Sequence, residues 1–325
     1  MKSVVVLCAA VIGVVLLSNK SSALLSVRER VFFIEERLLL KSPSVKIDDV
    51  QIWIPIPSND EWQTVGGLNL KSPLAANFLT EKKYGNKILY LRSKQNAKAR
   101  RPQEIAVSYK IQRKERGASE ETPQYRKDLS RYLKPDKTVP IDGQIQELAV
   151  KITAGKAGDL EKAKAIYDYL IDNYSYARDD PKVCGIGNSL LTLHYKKGMC
   201  TDWHSLFISL ARSLGIPAKF EIGFRVPEGK KEGEIEGYHC WAAFYIKARG
   251  WIPLDASEAY KHPEKRDYFF GHIDENRFAV TTGRDIVLKN ARNREPVNFF
   301  VYPYVEVNGS LFKDVDFRVS FKELK

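Results

Sequence analysis

The chain has 325 residues, of which 44% are hydrophobic and 28% are charged, a composition that suits two or so globular domains and excludes a low-complexity protein. Its net charge of +12 favours anionic partners or a solubilising lysine-rich surface. The sequence has no glycine-rich phosphate loop, zinc-finger spacing or RNA-binding signature, which argues against nucleic acid as a partner.

The first residues have the pattern of an export signal. Lys2 precedes an apolar run over residues 4–17, which is shorter than the about 20 residues that a membrane span needs. Ser21 and Ala23 stand where a cleavage site requires small side chains. We therefore predict a signal peptide over residues 1–23, export to the periplasm or beyond, and no stable membrane span after cleavage. An uncleaved membrane anchor is the alternative.

Residues 24–121 have the pattern of an N-terminal β domain that is similar to a sandwich. Short alternating apolar segments are separated by turn residues at a spacing typical of that fold. The segment 50–57, V-Q-I-W-I-P-I-P, ends in prolines, so we expect an edge strand there. Residues 122–141 are charged and punctuated by Pro123, Pro135 and Pro140, which is typical of a linker.

Residues 142–275 change from helical to strand patterns. Two helices are predicted, over about residues 143–153 and then to about residue 173 with Asp159 as the N-cap. Strands follow, and the segments 238–246 and 251–254 form a hairpin in an antiparallel sheet. We expect residues 276–325, which contain further short strands, to brace this core.

Residues 198–218 contain the candidate nucleophile. Cys200 begins an amphipathic helix that Gly215 and Pro217 terminate, and Asp202 is expected to cap its start. Unpaired N–H groups and the positive end of the helix dipole lower the pKa of a thiol at this position. We therefore interpret Cys200 as the catalytic nucleophile.

His239 and Asp255 are the candidate base and orienting group that a cysteine nucleophile needs. His239 lies near the start of one predicted hairpin strand and Asp255 ends the other, so the two side chains can meet diagonally. Their order with Cys200 predicts a Cys-His-Asp triad. Strand alternation places Cys240 on the face away from His239, which makes Cys240 a poor nucleophile candidate.

These motifs resemble those of the transglutaminase-like superfamily of cysteine enzymes. The matching segments are G-M-C at 198–200, L-G-I-P-A at 214–218, H-C-W at 239–241 and G-W-I-P-L-D at 250–255. The resemblance implies an α+β fold, with an N-terminal β-sandwich-like domain before a papain-like, transglutaminase-like core. It also implies that Cys200 attacks an amide carbonyl, that His239 transfers the proton and that Asp255 holds the imidazole.

Three further residues are candidates for a supporting role. The resemblance implies a second oxyanion donor upstream of the nucleophile, and Tyr195 is near enough to consider. His204 follows Cys200 by one helical turn on the same face, and Trp241 shares a strand face with His239. Both are candidates for packing around the site.

The cysteines and histidines also allow two other interpretations. Cleavage of the signal peptide would leave Cys184, Cys200 and Cys240, so Cys184 and Cys240 could form a disulfide, although we favour buried thiols. A zinc site from Cys200, His204 and His239 matches no standard spacing. We therefore predict chemistry without a metal or a cofactor.

The predicted function is acyl transfer on peptide or amide bonds through a thioester. We favour a hydrolase, a peptidase or amidase, because water is always available as the acceptor. A lysine amine as acceptor would instead make the protein a cross-linking transglutaminase, and the triad does not distinguish the two. A non-catalytic protein that binds cell-envelope components is the third interpretation. The expected substrate is a peptide or protein, and the sequence does not indicate an oligomeric state.

Overall fold

The computed structural model describes residues 27–41, 48–93, 103–117 and 128–324. The predicted signal peptide, residues 1–23, lies outside the described residues. In the part of the chain that is described, no helix is both long enough and apolar enough to cross a membrane.

The described residues form strands and helices in the order that the sequence patterns indicate, strands first and helices in the middle. The helices are α1 (Gln144–Ile152), α2 (Asp159–Asn173), α3 (Ser189–Tyr195), α4 (Cys200–Ser213) and α5 (Ala256–Lys261). The strands are β1 (Glu29–Leu40), β2 (Val50–Ile56), β3 (Gln63–Lys71), β4 (Ala75–Thr80), β5 (Lys87–Arg92), β6 (Gln103–Lys114), β7 (Ser175–Tyr176), β8 (Lys197–Gly198), β9 (Ala218–Arg225), β10 (Glu232–Glu234), β11 (His239–Ile246), β12 (Gly250–Leu254), β13 (Arg277–Thr282), β14 (Tyr304–Val307), β15 (Ser310–Leu311) and β16 (Val315–Glu323).

Two antiparallel sheets share an apolar core and form the N-terminal sandwich. Their strand orders are β10-β16-β1-β6-β3 and β15-β14-β2-β5-β4. In β1, Phe32, Ile34 and Leu38 alternate with more exposed residues and point into the core, where Ile52 of β2 also lies. The predicted α+β fold with a sandwich-like N-terminal region is confirmed.

The expectation that residues 50–57 form an edge strand is wrong. Strand β2 is buried along its whole length and pairs with β5 on one side and β14 on the other. Strand β14 pairs only with the segment from Val50 to Trp53, so Pro55 lies beyond the last β14 pair. A proline at such a position does not interrupt the ladder to β14.

The C-terminal segment divides between the two parts of the molecule. Strand β13 pairs with β9 and extends the sheet β12-β11-β9-β13. Strands β14 and β16 instead pair with β2 and β1 of the sandwich. Residues 276–325 therefore brace the core through β13, whereas their later strands complete the N-terminal sheets.

Helix α4 is the centre of the core, and the other helices and the sheet β12-β11-β9-β13 surround it. The sequence predicts one buried face, but every residue from Cys200 to Arg212 is buried. Two polar side chains of α4 bind the segment before α1: Arg212 donates to Asp136 Oδ2 at 2.7 Å, and the Ser209 hydroxyl donates to the Pro140 carbonyl. These partners belong to the predicted linker, whose described residues, 128–141, thus pack on the core.

Candidate active site

Cys200 lies at the first position of α4, and Asp202 fixes the geometry there. The Asp202 carboxylate accepts hydrogen bonds from the backbone N–H groups of Met199 (2.7 Å), Gly185 (2.6 Å) and Gly187 (2.6 Å). Asp202 therefore caps the helix start, as its position in the sequence predicts, and also ties the loop before α3 to it.

His239 and Asp255 are brought together by the β11–β12 hairpin. Nε2 of His239 lies 2.6 Å from Oδ2 of Asp255, and both side chains are buried. The other carboxylate oxygen accepts from the Ser257 hydroxyl at 2.8 Å and from the Glu258 N–H at 2.9 Å, so Asp255 is also the N-cap of α5. The predicted diagonal contact across the hairpin is present.

Arg277 of β13 is a site residue that the sequence motifs do not indicate. Its guanidinium donates from Nη1 to Oδ2 of Asp255 and from Nη2 to Asp274 at 2.7 Å, and it is fully buried. Asp255 thus has three positive or protonatable partners, His239, His204 and Arg277. Burial alone would raise the pKa of the Asp255 carboxyl, but the charge of His239, the hydrogen bonds with His204 and His239 and the charge of Arg277 hold it well below its usual range.

The pKa values of Cys200 and His239 are shifted in opposite directions. A hydrogen bond from the Cys240 thiol is the largest cause that lowers the pKa of Cys200 well below its ordinary value, and His239 adds to it against the effect of burial. Burial lowers the pKa of His239, but the charge and hydrogen bond of Asp255, with a contribution from Cys200, raise it to about 9. These directions favour a thiolate–imidazolium pair at neutral pH.

Cys240 and His204 contact each other within the core. The Cys240 sulfur is 3.6 Å from Nδ1 of His204, and Nε2 of His204 accepts the Ala256 N–H at 3.2 Å. Burial is the main cause that raises the pKa of Cys240, in agreement with its prediction as a poor nucleophile. Strand alternation places Cys240 on the sheet face opposite to His239, where its thiol contacts His204 of α4.

Tyr195 and Trp241 are not placed as oxyanion donors. Tyr195 lies on α3 with 49% of its surface exposed, and its ring contacts His194 rather than the described residues of the site. The Trp241 ring lies 6.3 Å from the His239 ring, but its indole N–H donates to Glu221 at 2.6 Å. Trp241 therefore packs beside His239, and its indole N–H is hydrogen-bonded to Glu221 and cannot donate to a substrate.

Tyr176 stands closer to Cys200 than the sequence suggests. Tyr176 of β7 pairs with Gly198 of β8 in a parallel ladder, and Gly198 precedes Cys200 by two residues. A side chain at Gly198 would have its Cβ 2.6 Å from that of Asp202, so only glycine fits. Burial is the main cause that raises the pKa of the Tyr176 phenol, and the charge of Cys200 contributes.

Cys200 and His239 are almost fully buried, and the three cysteines among the described residues are free thiols. Only 2% of the Cys200 surface and 7% of the His239 surface are accessible to solvent. Cys184, Cys200 and Cys240 are each buried and unpaired with one another, which confirms buried thiols over a Cys184–Cys240 disulfide. Among the described residues, no group of three or more His, Cys, Asp and Glu side chains has the arrangement of a metal site.

Comparison with known proteins identifies the family. The family model described as the transglutaminase-like superfamily matches residues 146–256. An uncharacterised protein of Haemophilus influenzae is 31% identical over 309 residues, covering 82% of this chain and 82% of the relative. The chain belongs to the transglutaminase-like superfamily. The transglutaminase-like region contains Cys200, His239 and Asp255 and ends one residue after the last of them. Arg277 lies outside it.

Two further proteins are similar to this chain. The uncharacterised protein YebA of Bacillus subtilis is 27% identical over 146 residues, 41% of this chain and 20% of that protein. The crystal structure of a proposed cysteine protease from Cytophaga hutchinsonii is similar over 92% of each chain, with a TM-score of 0.61 at 17% identity. The likeness to the crystal structure shows that the two chains share a fold.

Proposed function

We propose that the protein is a cysteine-dependent acyl-transfer enzyme that hydrolyses peptide or amide bonds through a thioester, with Cys200, His239 and Asp255 as its triad. The observation that carries the proposal is the 2.6 Å contact between His239 Nε2 and Asp255 Oδ2 beside a thiol whose pKa is lowered at a helix start. This arrangement gives each residue the role that nucleophilic catalysis requires.

In the acylation step, the Cys200 thiolate attacks the carbonyl carbon of the bond to be broken. Because Nε2 of His239 is held by Asp255, Nδ1 is the ring nitrogen left to exchange a proton with the sulfur and the leaving group. The C–N bond breaks, the imidazolium gives its proton to the departing amine, and the acyl group remains on sulfur as a thioester.

In the deacylation step, water attacks the thioester carbonyl. Neutral His239 accepts the proton of that water, the C–S bond breaks, and the product leaves as a carboxylic acid. The proton taken from water stays on His239, and the released Cys200 thiolate with this imidazolium is the starting pair. Asp255 stays ionised throughout, since His239 and Arg277 both stabilise its charge.

The negative charge on the carbonyl oxygen needs two hydrogen-bond donors. The backbone N–H of Cys200 is one, because the first N–H groups of a helix have no acceptor within that helix. We assign the second to the hydroxyl of Tyr176 in place of Tyr195, since the β7–β8 ladder places Tyr176 beside the start of α4. The expected substrates are peptides or proteins of the cell envelope, because the sequence predicts an export signal.

A peptide-library incubation with and without an amine donor tests the reaction, read by mass spectrometry. Cleaved or deamidated products that disappear in Cys200→Ala support hydrolysis. Loss of ammonia with incorporation of the amine would show a transglutaminase instead. The absence of any product, together with alkylation of Cys200 no faster than that of a free thiol, would contradict both and favour a non-catalytic binding protein.

A further inference from the structure

A buried ion pair joins the N-terminal sandwich to the sheet that carries His239. Arg116, which lies just after β6 of the sandwich, donates from Nη1 to Oε2 of Glu221 on β9 at 2.7 Å. Both side chains are buried, with 7% and 5% of their surfaces accessible to solvent. The backbone of Arg116 also exchanges two hydrogen bonds of 2.8 Å with Ile273, which fix its position against the core. The sandwich therefore places a cation on the sheet β12-β11-β9-β13.

The oxygen of Glu221 that Arg116 binds also accepts the indole N–H of Trp241, at 2.6 Å. Glu221 and Trp241 lie directly opposite each other in the ladder between β9 and β11. The other carboxylate oxygen, Oε1, lies 2.7 Å from Nζ of Lys219. Burial raises the pKa of the Glu221 carboxyl, but the charges of Arg116 and Lys219 hold it below its usual range. Glu221 is therefore an ionised acceptor for the indole.

Trp241 in turn packs beside His239 on one face of β11. The two residues are two positions apart in the strand, and their ring centroids lie 6.3 Å apart with the ring planes inclined by 35°. Gly223 of β9 lies opposite His239, and a Cβ there would collide with the carbonyl of Phe278. Because that position carries no side chain, the imidazole depends on the Trp241 ring for support on this face.

We propose that Arg116 is a positioning residue for His239, which it influences by holding Glu221 against the Trp241 indole. The proposal rests on the proposed function of His239. Without Arg116, Lys219 remains as a cation that binds Glu221, and it binds the opposite oxygen. The carboxylate would then turn towards Lys219 and away from the buried indole N–H. The Trp241 ring would lose its fixed orientation, and the imidazole would lose the surface that supports it.

The charge of Arg116 also acts through space, so the test must separate charge from position. Arg113 and Asp60 belong to the same group of charges around Arg116 and Glu221. Removing one cation from this group disfavours a thiolate at Cys200 whatever the Trp241 ring does. A positional effect, in contrast, requires the indole N–H that Glu221 holds.

The test is the pH dependence of Cys200 alkylation by iodoacetamide in the reduced, full chain, followed by peptide mass spectrometry. Arg116→Gln should move the profile to higher pH, because a loosened His239 stabilises the thiolate less. A rise of about one unit in the pKa of Cys200 lowers alkylation on the acid limb about tenfold, which is the effect we expect. Trp241→Phe removes the indole N–H and should move the profile in the same direction.

The deciding comparison is the double variant Arg116→Gln/Trp241→Phe. If Arg116 acts through Trp241, the double variant should have the profile of Trp241→Phe alone, because the N–H that Glu221 holds is already absent. Equal shifts by Arg116→Gln in the native and Trp241→Phe backgrounds would mean that only the charge matters, which overturns the proposal. Arg28→Gln is the control at the same boundary: its guanidinium is 53% exposed and binds Glu115 at 2.6 Å, and its profile should stay native. A shift equal to that of Arg116→Gln would also overturn the proposal.

Near-ultraviolet circular dichroism establishes that each variant is folded. If Arg116→Gln is unfolded, Trp241→Phe decides by itself, since an unmoved profile in that variant overturns the proposal. A native profile like that of a free thiol, unaffected by His239→Ala, would overturn the proposed function as well. A profile that depends on His239 but not on Arg116 would overturn this inference alone.

Discussion

Arg277 donates a hydrogen bond to Oδ2 of Asp255, the same oxygen that His239 contacts. Arg277 lies on β13 and His239 on β11, the two strands that flank β9. The guanidinium also holds Asp274, so one buried cation compensates two buried carboxylates. Its hydrogen bond fixes the carboxylate oxygen that orients the imidazole. Arg277 therefore acts on His239 through Asp255.

Arg277→Gln should lower both stability and activity. The substitution leaves Asp255 and Asp274 buried without their cation, and breaking a buried ion pair from one side costs about 3 kcal/mol. Urea unfolding should show that loss, and the rate of peptide cleavage should fall because Asp255 is no longer held. Arg292→Gln is the matched control: its side chain is 59% exposed beside Asp49, and we expect a loss below about 1 kcal/mol. Equal losses in the two variants would contradict this account.

Local patterns predict the hairpin that carries His239 and Asp255 well, because its geometry depends on neighbouring residues. The turn at 247–250 and the alternation of side chains in β11 place His239 and Asp255 where their side chains can meet. The helix start at Cys200 is likewise encoded locally by Gly198 and Asp202. These are the parts of the site that sequence reasoning finds.

Long-range pairing is what the sequence patterns do not predict. Strand β1 pairs with β16 from the far end of the chain, and this partner decides where the C-terminal segment lies. Arg277 likewise reaches Asp255 only because β13 pairs with β9. The buried second face of α4 has the same origin, since its polar residues bind Asp136 and Pro140 from the segment expected to be a linker.

The choice between Tyr195 and Tyr176 shows the same limit. Tyr195 is nearer to Cys200 along the chain, but α3 carries it to the surface. Tyr176 is more distant in sequence and is brought back by the parallel β7–β8 ladder. Two-residue strands have no detectable alternation, so this ladder gives no signal in a single sequence.

The pH dependence of activity should have a basic limb near pH 9. His239 must be an imidazolium to protonate the leaving amine, and its pKa is raised to about 9 chiefly by Asp255 against the effect of burial. Activity should therefore decline as the pH rises through about 9, and decline again in acid where Cys200 loses its charge. A steady-state profile of peptide cleavage tests this, and a basic limb near neutral pH would contradict it.

The free energy of unfolding should also depend on the protonation of His239. Because the folded pKa of His239 is raised from 6.5 to about 9, its contribution to folding is fully present below pH 6.5 and is lost as the pH rises through 9. Because the lowered pKa of Cys200 contributes the opposite slope, the comparison is made without the thiol: urea unfolding of Cys200→Ala should weaken across this window more than that of the double variant Cys200→Ala/His239→Ala. Parallel curves for the two variants would mean that folding does not raise the pKa of the imidazole.

Tyr176→Phe should reduce kcat with little change in KM. The phenol is assigned to the oxyanion, which develops only in the transition state, so its loss leaves substrate binding intact. Removing one such donor typically costs about 100-fold in kcat. Tyr195→Phe is the control, since its side chain is 49% exposed on α3, and we expect native rates. A larger effect at Tyr195 than at Tyr176 would restore the assignment made from sequence.

Asp202→Ala should destabilise the start of α4 and slow alkylation of Cys200. Its carboxylate satisfies the N–H groups of Met199, Gly185 and Gly187, and each buried donor left without a partner costs about 1 kcal/mol or more. The helix start would then fray, and the Cys200 sulfur would lose its fixed position beside His239. Asp159→Ala, at the first turn of α2 with a 56% exposed side chain, should cost less than about 1 kcal/mol in urea unfolding. Native alkylation kinetics in Asp202→Ala would show that the sulfur is positioned by β11 instead of by the helix cap.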